Sequence, residues 1–230
     1  MQIIQHPSPN FGERPSGPIN MVVLHYTGME NGAAATAHLC DPAAQVSAHY
    51  VVERDGRVLQ LVAEDKRAWH AGVSFWAGET DINSCSIGIE IVNRGHDFLM
   101  ADGSLQVFPD SQMQVVGQLL AGIMGRYGVP KSRVVAHSDI APTRKQDPGE
   151  HFPWGRLAAQ GLCLPVPQGC EDQTPADRAE LIQGLAAFGY DVSDETAATR
   201  AFQRRFRPSC FSGCADQGTR KALTALTKPR

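Results

Sequence analysis

The chain has 230 residues, 42% of them hydrophobic and 20% charged, which is ordinary for a soluble globular protein of one or two domains. Its formal net charge of -3 excludes the strongly basic balance of proteins that bind nucleic acids or anionic membranes, so neither partner is expected. No apolar run reaches the roughly 18 residues that a membrane-spanning helix requires.

Hydrophobic patterning predicts alternating strands and helices over the first 160 residues. In chain order we expect an extended arm at 1–18, a strand at 19–26, a helix at 33–39, a β-hairpin at 46–52 and 57–62, a strand at 86–92, a helix at 111–127 and a strand at 134–136. The continuous apolar run at 19–26 is typical of a buried central strand. Ser111 and Gly128 are suited to begin and end the long helix. Strands that alternate with helices predict an α/β domain.

The composition changes after Trp154. Residues 161–174 are rich in Pro and Gly and are interpreted as a linker. Helical patterns follow at 175–188, 194–206 and 216–226. We therefore expect a first domain at 1–160, a linker at 161–174 and a small three-helix domain at 175–230. The basic run at 204–207 is too short to indicate nucleic-acid binding and is interpreted as a solvated helix face.

Six cysteines leave the redox compartment open. The pairs Cys163 with Cys170 and Cys210 with Cys214 could each close a small loop in an oxidising compartment, and neither spacing matches a zinc ribbon. We favour free thiols, because the N-terminal residues lack the basic segment, apolar core and cleavage site of a signal peptide. The corresponding expectation is a cytoplasmic protein, or a periplasmic one if a leader has been removed.

Two histidines and one aspartate are placed as metal ligands would be. His25 lies at the end of the first apolar run, His137 follows the strand at 134–136, and Asp147 lies on a loop marked by Pro and Gly. Three N and O ligands with a fourth position left to water are typical of catalytic zinc, whereas structural zinc sites are closed, mostly by Cys. Taken singly, each histidine is more often structural, and Asp147 could serve only a turn.

A carboxylate stands within the apolar strand predicted at 86–92. The neighbours of Glu90 are Ile89 and Ile91, which would point to the opposite face of the sheet, whereas Gly88 lies on its own side. In an apolar pocket the pKa of Glu90 would rise, which suits a general base for water activated beside a metal. The alternative is a buried carboxylate in a salt bridge.

Five short segments of the chain together carry a family signature. They are Val22–Thr27, Ser47–Val52, Ala68–Gly72, Ser86–Glu90 and His137–Gly149. In this order, over about residues 15–160, the chain resembles the zinc-dependent N-acetylmuramoyl-L-alanine amidases, which share their fold with the peptidoglycan-recognition proteins. The resemblance implies a central mixed β-sheet flanked by helices. The C-terminal part resembles a small three-helix peptidoglycan-binding domain, and departs from it at 208–214, where a short Asp-Gly-type turn is usual.

The resemblance implies one zinc ion per chain, held by His25, His137 and Asp147, and it assigns proton transfer to Glu90. Lys145 stands two residues before Asp147, a spacing that places both side chains on one face of extended backbone. We therefore expect Lys145 to stabilise the oxyanion of the tetrahedral intermediate beside the metal. A solvated lysine in a polar loop is the alternative.

His70 and Arg144 are candidates for substrate binding. His70 lies in a Trp-His-Ala-Gly segment and could hydrogen-bond the substrate or the oxyanion. The planar guanidinium of Arg144 suits a carboxylate of the stem peptide. Ordinary surface roles are equally open for both residues. His49 is expected to be a structural histidine.

The implied reaction is hydrolysis of the amide between N-acetylmuramic acid, including its 1,6-anhydro form, and L-alanine of the stem peptide. The partners are then muropeptides or peptidoglycan, in recycling or in wall turnover, and a monomer is expected. One alternative is a non-catalytic peptidoglycan-binding or sensing protein on the same fold, which the retained ligand set disfavours. Another is a zinc peptidase, although the HExxH motif of many such enzymes is absent.

Overall fold

The computed structural model describes residues 2–228 as eight strands and eight helices. The strands are β1 Ile3–Gln5, β2 Phe11–Glu13, β3 Met21–Tyr26, β4 Tyr50–Val52, β5 Val58–Gln60, β6 Lys66–Ala68, β7 Ser86–Ile91 and β8 Val134–Ala136. The helices are α1 Gly32–Cys40, α2 Ile82–Cys85, α3 Asp110–Tyr127, α4 His137–Ile140, α5 Trp154–Ala159, α6 Arg178–Phe188, α7 Glu195–Phe206 and α8 Gln217–Thr227. Over these residues, no helix has the length and apolar character needed to cross a membrane.

Six strands form one mixed sheet in the order β1-β5-β4-β7-β3-β8. β4 and β5 are antiparallel, and the other neighbours in this sheet are parallel. β2 and β6 pair separately as an antiparallel ribbon. The central strands β3 and β7 are buried along almost their whole length, which accounts for their continuous apolar runs. The predicted α/β fold with a central mixed sheet is confirmed.

Side chains of β3 point alternately into two hydrophobic cores. Val22 and Leu24 pack in the first core, together with the buried face of α3. Met21 and Val23 lie in the second core, which α6, α7 and α8 complete with residues such as Phe202. The three C-terminal helices therefore share a core with the sheet that they cover.

The ends of α3 differ in how well the sequence predicts them. Pro109 is the N-cap, so the predicted N-cap at Ser111 is wrong. The hydroxyl of Ser111 donates instead to the carbonyl oxygen of Arg54, at 3.3 Å, so it is engaged with a neighbouring loop. Gly128 ends the helix in the left-handed conformation, with φ of 66°, as predicted.

Aspartate side chains cap the three C-terminal helices. Each accepts a hydrogen bond from a backbone N–H of the first helical turn, at 2.9, 2.9 and 2.7 Å for Asp177, Asp194 and Asp216. Because Asp177 is a cap, α6 begins at 178 and not at the predicted 175. Residues 161–174 contain no helix or strand in the described chain. The predicted division into a domain at 1–160, a linker at 161–174 and a domain at 175–230 stays a prediction. The three C-terminal helices share a hydrophobic core with the sheet.

The basic run at 204–207 is buried, so its interpretation as a solvated helix face is wrong. Arg205 forms a salt bridge with Asp139 of α4. Arg207 donates to a carboxylate oxygen of Asp216 at 2.6 Å. These arginines are buried because carboxylates from other elements meet them in the core, which a local charge pattern does not reveal.

The N-terminal arm adds two strands that the sequence does not predict. β1 lies parallel to β5, and β2 lies antiparallel to β6. Both strands are three residues long and mostly exposed, so no apolar alternation marks them.

All six cysteines are free thiols. Cys163 belongs to the first hydrophobic core and Cys170 to the second, so this pair is divided between the two faces of the sheet. Cys210 is partly buried and Cys214 is exposed. The structure therefore agrees with the favoured expectation of free thiols.

Candidate active site

The three predicted metal ligands meet at one edge of the sheet. His25 lies near the end of β3, and His137 directly follows β8, the parallel neighbour of β3, so both leave the sheet at the same edge. Asp147 reaches them from the loop after α4. The Nδ1 atoms of His25 and His137 are 2.9 Å apart, and Asp147 Oδ2 lies 3.1 and 3.0 Å from them. All three residues are at least nine-tenths buried.

A backbone carbonyl determines the tautomer of His137. Its Nε2 lies 3.2 Å from the carbonyl oxygen of Ala71, which can only accept a hydrogen bond. Nε2 therefore carries the proton, and Nδ1 keeps a lone pair that faces His25 and Asp147. A ligating histidine commonly donates its second ring N–H in this way.

A chain of hydrogen bonds holds His25 in the matching tautomer. Its Nε2 lies 3.1 Å from His70 Nδ1, and His70 Nε2 lies 3.1 Å from Ser86 Oγ. The Ser86 hydroxyl donates to the carbonyl of Ile82 at 2.6 Å, so its oxygen accepts from His70. His70 Nδ1 then accepts from His25 Nε2, which leaves the lone pair of His25 Nδ1 directed at the other two ligands.

Three acceptors thus converge on one point, and this convergence fits a metal ion. Lone pairs of two imidazoles and a carboxylate oxygen repel one another in a buried site unless a cation lies between them. Burial, together with His137, lowers the pKa of His25 to about 4, so the ring is neutral near pH 7, as a ligand must be. Ligand atoms of a tetrahedral zinc site lie roughly 3.3 Å apart, since Zn–N distances are about 2.0 to 2.1 Å. The observed separations of 2.9 to 3.1 Å are close to that spacing.

The position of His70 depends on Gly88 and Asn83. A β-carbon at Gly88 would lie 2.4 Å from the His70 ring, so the imidazole occupies space that any other side chain would fill. The backbone amides of His70 and Ala71 donate to Asn83 Oδ1 at 3.0 and 2.8 Å. His70 is 7% exposed, and its observed partners are His25 and a serine hydroxyl. Its role in substrate binding stays a prediction.

Replacing His70 with Phe is expected to weaken zinc binding by about 10- to 100-fold. Phe fills the space over Gly88 but offers no acceptor to His25 Nε2, so the tautomer of His25 is no longer determined. Competition with a chelator measures the affinity. His70→Asn is the matched control, because its side-chain oxygen can replace Nδ1 and restore most of the affinity. Equal affinities in the wild type and the Phe variant would contradict this role.

A cleft of about 320 Å³ opens in front of the three ligands, and Glu90 lines it from β7. Glu90 is the register partner of His25 in the parallel pair of β3 and β7, and Ile89 and Ile91 are buried on the opposite side of the sheet, as predicted. Its Oε2 atom is buried without a hydrogen-bond partner among the described residues. Burial, with a further contribution from Asp147, raises the pKa of Glu90 well above its ordinary value. Glu90 is therefore suited to hold a proton beside the ligands.

Lys145 and Arg144 are exposed on the rim of this cleft. Nε and Nη2 of Arg144 donate to the carbonyl of Val73 at 2.9 and 2.7 Å, and Nη2 also donates to that of Ala71. Since the same Ala71 carbonyl faces His137, Arg144 helps to position the loop behind that ligand. The predicted contacts of Arg144 with a substrate carboxylate and of Lys145 with the oxyanion stay predictions.

The hydrogen-bond partners that orient the candidate ligands were not singled out from the sequence. They are Ser86, Asn83 and the carbonyl of Ala71. The available signal was Gly88 in an otherwise apolar strand, which indicates that another group approaches closely. His49 is fully buried, and its Nδ1 accepts from the N–H of Gly88 at 3.0 Å, in keeping with a structural role.

Comparisons with known proteins place the chain in a family. The model of the N-acetylmuramoyl-L-alanine amidase family matches residues 15–150. The N-acetylmuramoyl-L-alanine amidase AmiD of Escherichia coli (strain K12) is 39% identical in an alignment 229 positions long that covers 90% of this chain and 82% of AmiD.

Two solved structures are similar over most of the chain. E. coli AmiD in complex with the substrate anhydro-N-acetylmuramic acid-L-Ala-D-γ-Glu-L-Lys has a TM-score of 0.82 and 38% identity, covering 90% of this chain and 88% of that one. AmpDh3 from Pseudomonas aeruginosa, in complex with anhydromuramic pentapeptide, has a TM-score of 0.79 and 34% identity, covering 96% and 94%. The chain therefore belongs to the N-acetylmuramoyl-L-alanine amidase family.

Proposed function

We propose that this amidase uses one zinc ion, held by His25, His137 and Asp147, to hydrolyse the amide between N-acetylmuramic acid and L-alanine of the stem peptide. The observation that carries the proposal is the convergence of three acceptor atoms beside a carboxylate, Glu90, in one cleft. Family membership supports the reaction, and the donor set supports zinc in particular, because two imidazoles and a carboxylate leave one position open for catalysis.

Glu90 is assigned the proton transfers of the reaction. A bound zinc ion supplies a Lewis acid that polarises the amide carbonyl and lowers the pKa of water toward about 7. Glu90 takes a proton from the attacking water and delivers it to the departing amine of L-alanine. Its raised pKa favours holding that proton between the two steps, and Oε2 has no competing hydrogen bond within residues 2–228.

Lys145 is assigned to charge stabilisation on the rim of the cleft. Its side chain lines the same cleft as Glu90 and the three ligands, so its positive charge faces the proposed reaction site. Negative charge grows on the former carbonyl oxygen as the tetrahedral intermediate forms, and a nearby cation stabilises it. Arg144 adds a second positive charge on the rim, which favours the acidic stem peptide.

Soluble muropeptides with the anhydro sugar are the proposed substrates. The E. coli and P. aeruginosa structures were both determined with anhydromuramic acid linked to a peptide. The cationic rim of this chain, formed by Lys145 and Arg144, complements the carboxylates of such a peptide. We therefore place the activity in peptidoglycan recycling, with turnover of the polymeric wall as the alternative.

Mass spectrometry of the products tests the proposed function. Purified protein is given an anhydromuramoyl tripeptide and intact sacculi in parallel, with and without a chelator. We expect release of the intact stem peptide with a free L-alanine amine. The chelator should abolish the release, and added zinc should restore it.

Each other outcome of this experiment points to a different protein. Cleavage within the stem peptide would indicate a zinc peptidase. No release from either substrate, while zinc remains bound, would indicate a non-catalytic peptidoglycan-binding protein. Faster release from the tripeptide than from sacculi supports recycling, and the reverse supports wall turnover.

A further inference from the structure

A second group of potential metal ligands lies close to the active site. His96, Glu150 and His151, which we call the His96 cluster, each offer one ligand atom, and these atoms all lie within 4.8 Å of one another. His96 Nε2 is 3.1 Å from both carboxylate oxygens of Glu150. All three side chains are partly buried. Amide hydrolysis, as described above, makes no use of them.

The ring of His151 has no hydrogen bond that explains its burial. Both of its nitrogens are buried without a partner among the described residues. Native proteins rarely bury polar atoms unpaired, and a neutral imidazole has both a donor and an acceptor to satisfy. Burial lowers the pKa of His151 to about 4, so near pH 7 the ring is neutral and one nitrogen keeps a lone pair. A metal ion is a partner for that lone pair.

Packing brings the two imidazoles of the His96 cluster together. His151 stacks on Phe108 with ring centroids 5.1 Å apart, and it meets His96 edge-on at 5.8 Å. Gly149 abuts both rings, because a β-carbon there would lie 2.7 Å from His151 Nδ1 and 3.1 Å from His96 Cε1. The ligands are therefore ordered before an ion binds, which reduces the entropic cost of binding.

The remaining contacts leave Glu150 and His96 Nε2 available as ligands. The hydroxyl of Tyr26 lies 3.0 Å from His96 Nδ1 and so occupies the other ring nitrogen, as at many metal sites. Although burial acts in the opposite direction, hydrogen bonding from His96 lowers the pKa of Glu150 to about 2, so the carboxylate is ionised. A metal ion bound between the two groups would replace this hydrogen bond, with the proton of His96 moving to Nδ1, where the Tyr26 oxygen can accept it. Arg204 Nε competes for the same carboxylate, but only from 3.5 Å.

We propose that the His96 cluster binds a second divalent transition-metal ion. Two imidazoles and one carboxylate suit zinc, cobalt or nickel. His96 comes from the segment between β7 and α3, whereas Glu150 and His151 belong to the segment between α4 and α5, which also carries Asp147. The ion fastens these two segments together and thereby supports the loop of Asp147. This role is structural, and the inference does not rest on the proposed function.

Counting bound metal in variants tests the second site. Metal-free protein is titrated with Zn²⁺, and the bound ion is measured after free ion is removed. We expect two equivalents for the wild type, one for His151→Phe, one for His137→Ala and none for the double variant. Phe keeps the stacking on Phe108, so His151→Phe is expected to fold. In the wild type, adding the second equivalent of Zn²⁺ should also raise the Tm. In His151→Phe, adding a second equivalent should leave the Tm unchanged.

The control and the two possible failures are distinguishable. His6→Phe is the control. His6 is exposed beside β5 and follows β1, the outermost strand on the side of the sheet away from β8, so this variant should still bind two equivalents of Zn²⁺. One equivalent in the wild type, unchanged in His151→Phe, would overturn the second site. A metal count in His137→Ala equal to that of the wild type would instead contradict the proposed catalytic zinc, and the count in His151→Phe would still decide whether the His96 cluster binds an ion.

Discussion

Replacing Glu90 with Gln is expected to lower kcat for amide hydrolysis by about 100- to 10,000-fold, the range supplied by a positioned acid–base group. Gln has the same shape but can neither take a proton from water nor return it to the leaving amine. Glu90 lies beside His25 in the strand register, lines the cleft, and has a buried oxygen with no hydrogen bond in the part of the chain described. Steady-state kinetics on an anhydromuramoyl tripeptide measures the effect.

Two further measurements separate proton transfer from damage to the site. The zinc content of Glu90→Gln should equal that of the wild type, because Glu90 is not one of the three converging ligands. Glu53→Gln is the matched control. It removes a partly buried carboxyl whose pKa is also raised by burial but which does not line the cleft, so kcat should be unchanged. A Glu90→Gln protein with bound zinc and near-normal kcat would contradict the assignment.

The sequence is sufficient to locate the candidate site because three of its residues follow or end apolar runs. His25 lies near the end of β3, Glu90 near the end of β7, and His137 directly after β8. These strands are parallel neighbours, so their carboxyl ends lie at one edge of the sheet. The topology thereby brings His25 and His137 to a ring-nitrogen separation of 2.9 Å although they are 112 positions apart.

The arrangement behind these ligands could not be predicted, because it depends on contacts between distant segments. His70 reaches His25 only because Gly88 has no side chain to exclude the imidazole. Ser86 then receives the second ring N–H, since it stands two residues before Gly88 on the same face of β7. Ser86 carries no local pattern that distinguishes this role from an ordinary place in a strand. Gly88 indicates that another group approaches closely, but not which group it is.

The local sequence pattern of α7 likewise does not reveal that its basic residues are buried. The guanidinium carbon Cζ of Arg205 lies 4.2 Å from the centroid of the Trp154 ring, and Arg205 forms a salt bridge with Asp139. Asp139 Oδ2 also accepts from the backbone N–H of Ala136, at 2.8 Å. Charged residues enter a core only when another element supplies a partner, and here the partner lies 66 positions away along the chain.

Replacing Arg205 with Met is expected to destabilise the protein by about 3 to 5 kcal/mol, because Asp139 is then left as an unpaired charge in the core. Arg205 and Asp139 are only 3% and 0% exposed. The Tyr190 hydroxyl still donates to Asp139 at 2.6 Å, which places the loss toward the lower end of that range. For a chain of this size the Tm should fall by roughly 10 °C, as measured by calorimetry.

The same variant tests whether the C-terminal helices are coupled to the active site. Arg200→Met is the matched control, since Arg200 is exposed on the same helix and its loss should change stability by less than about 0.5 kcal/mol. Because Asp139 lies two residues after His137, we expect Arg205→Met to weaken zinc binding as well as to lower the Tm. Because the helices share a core with the sheet, we expect a single unfolding transition, and we expect the whole transition to move to lower temperature in Arg205→Met. A separate helical transition with unchanged zinc affinity would show that residues 175–230 fold on their own, and would contradict the coupling.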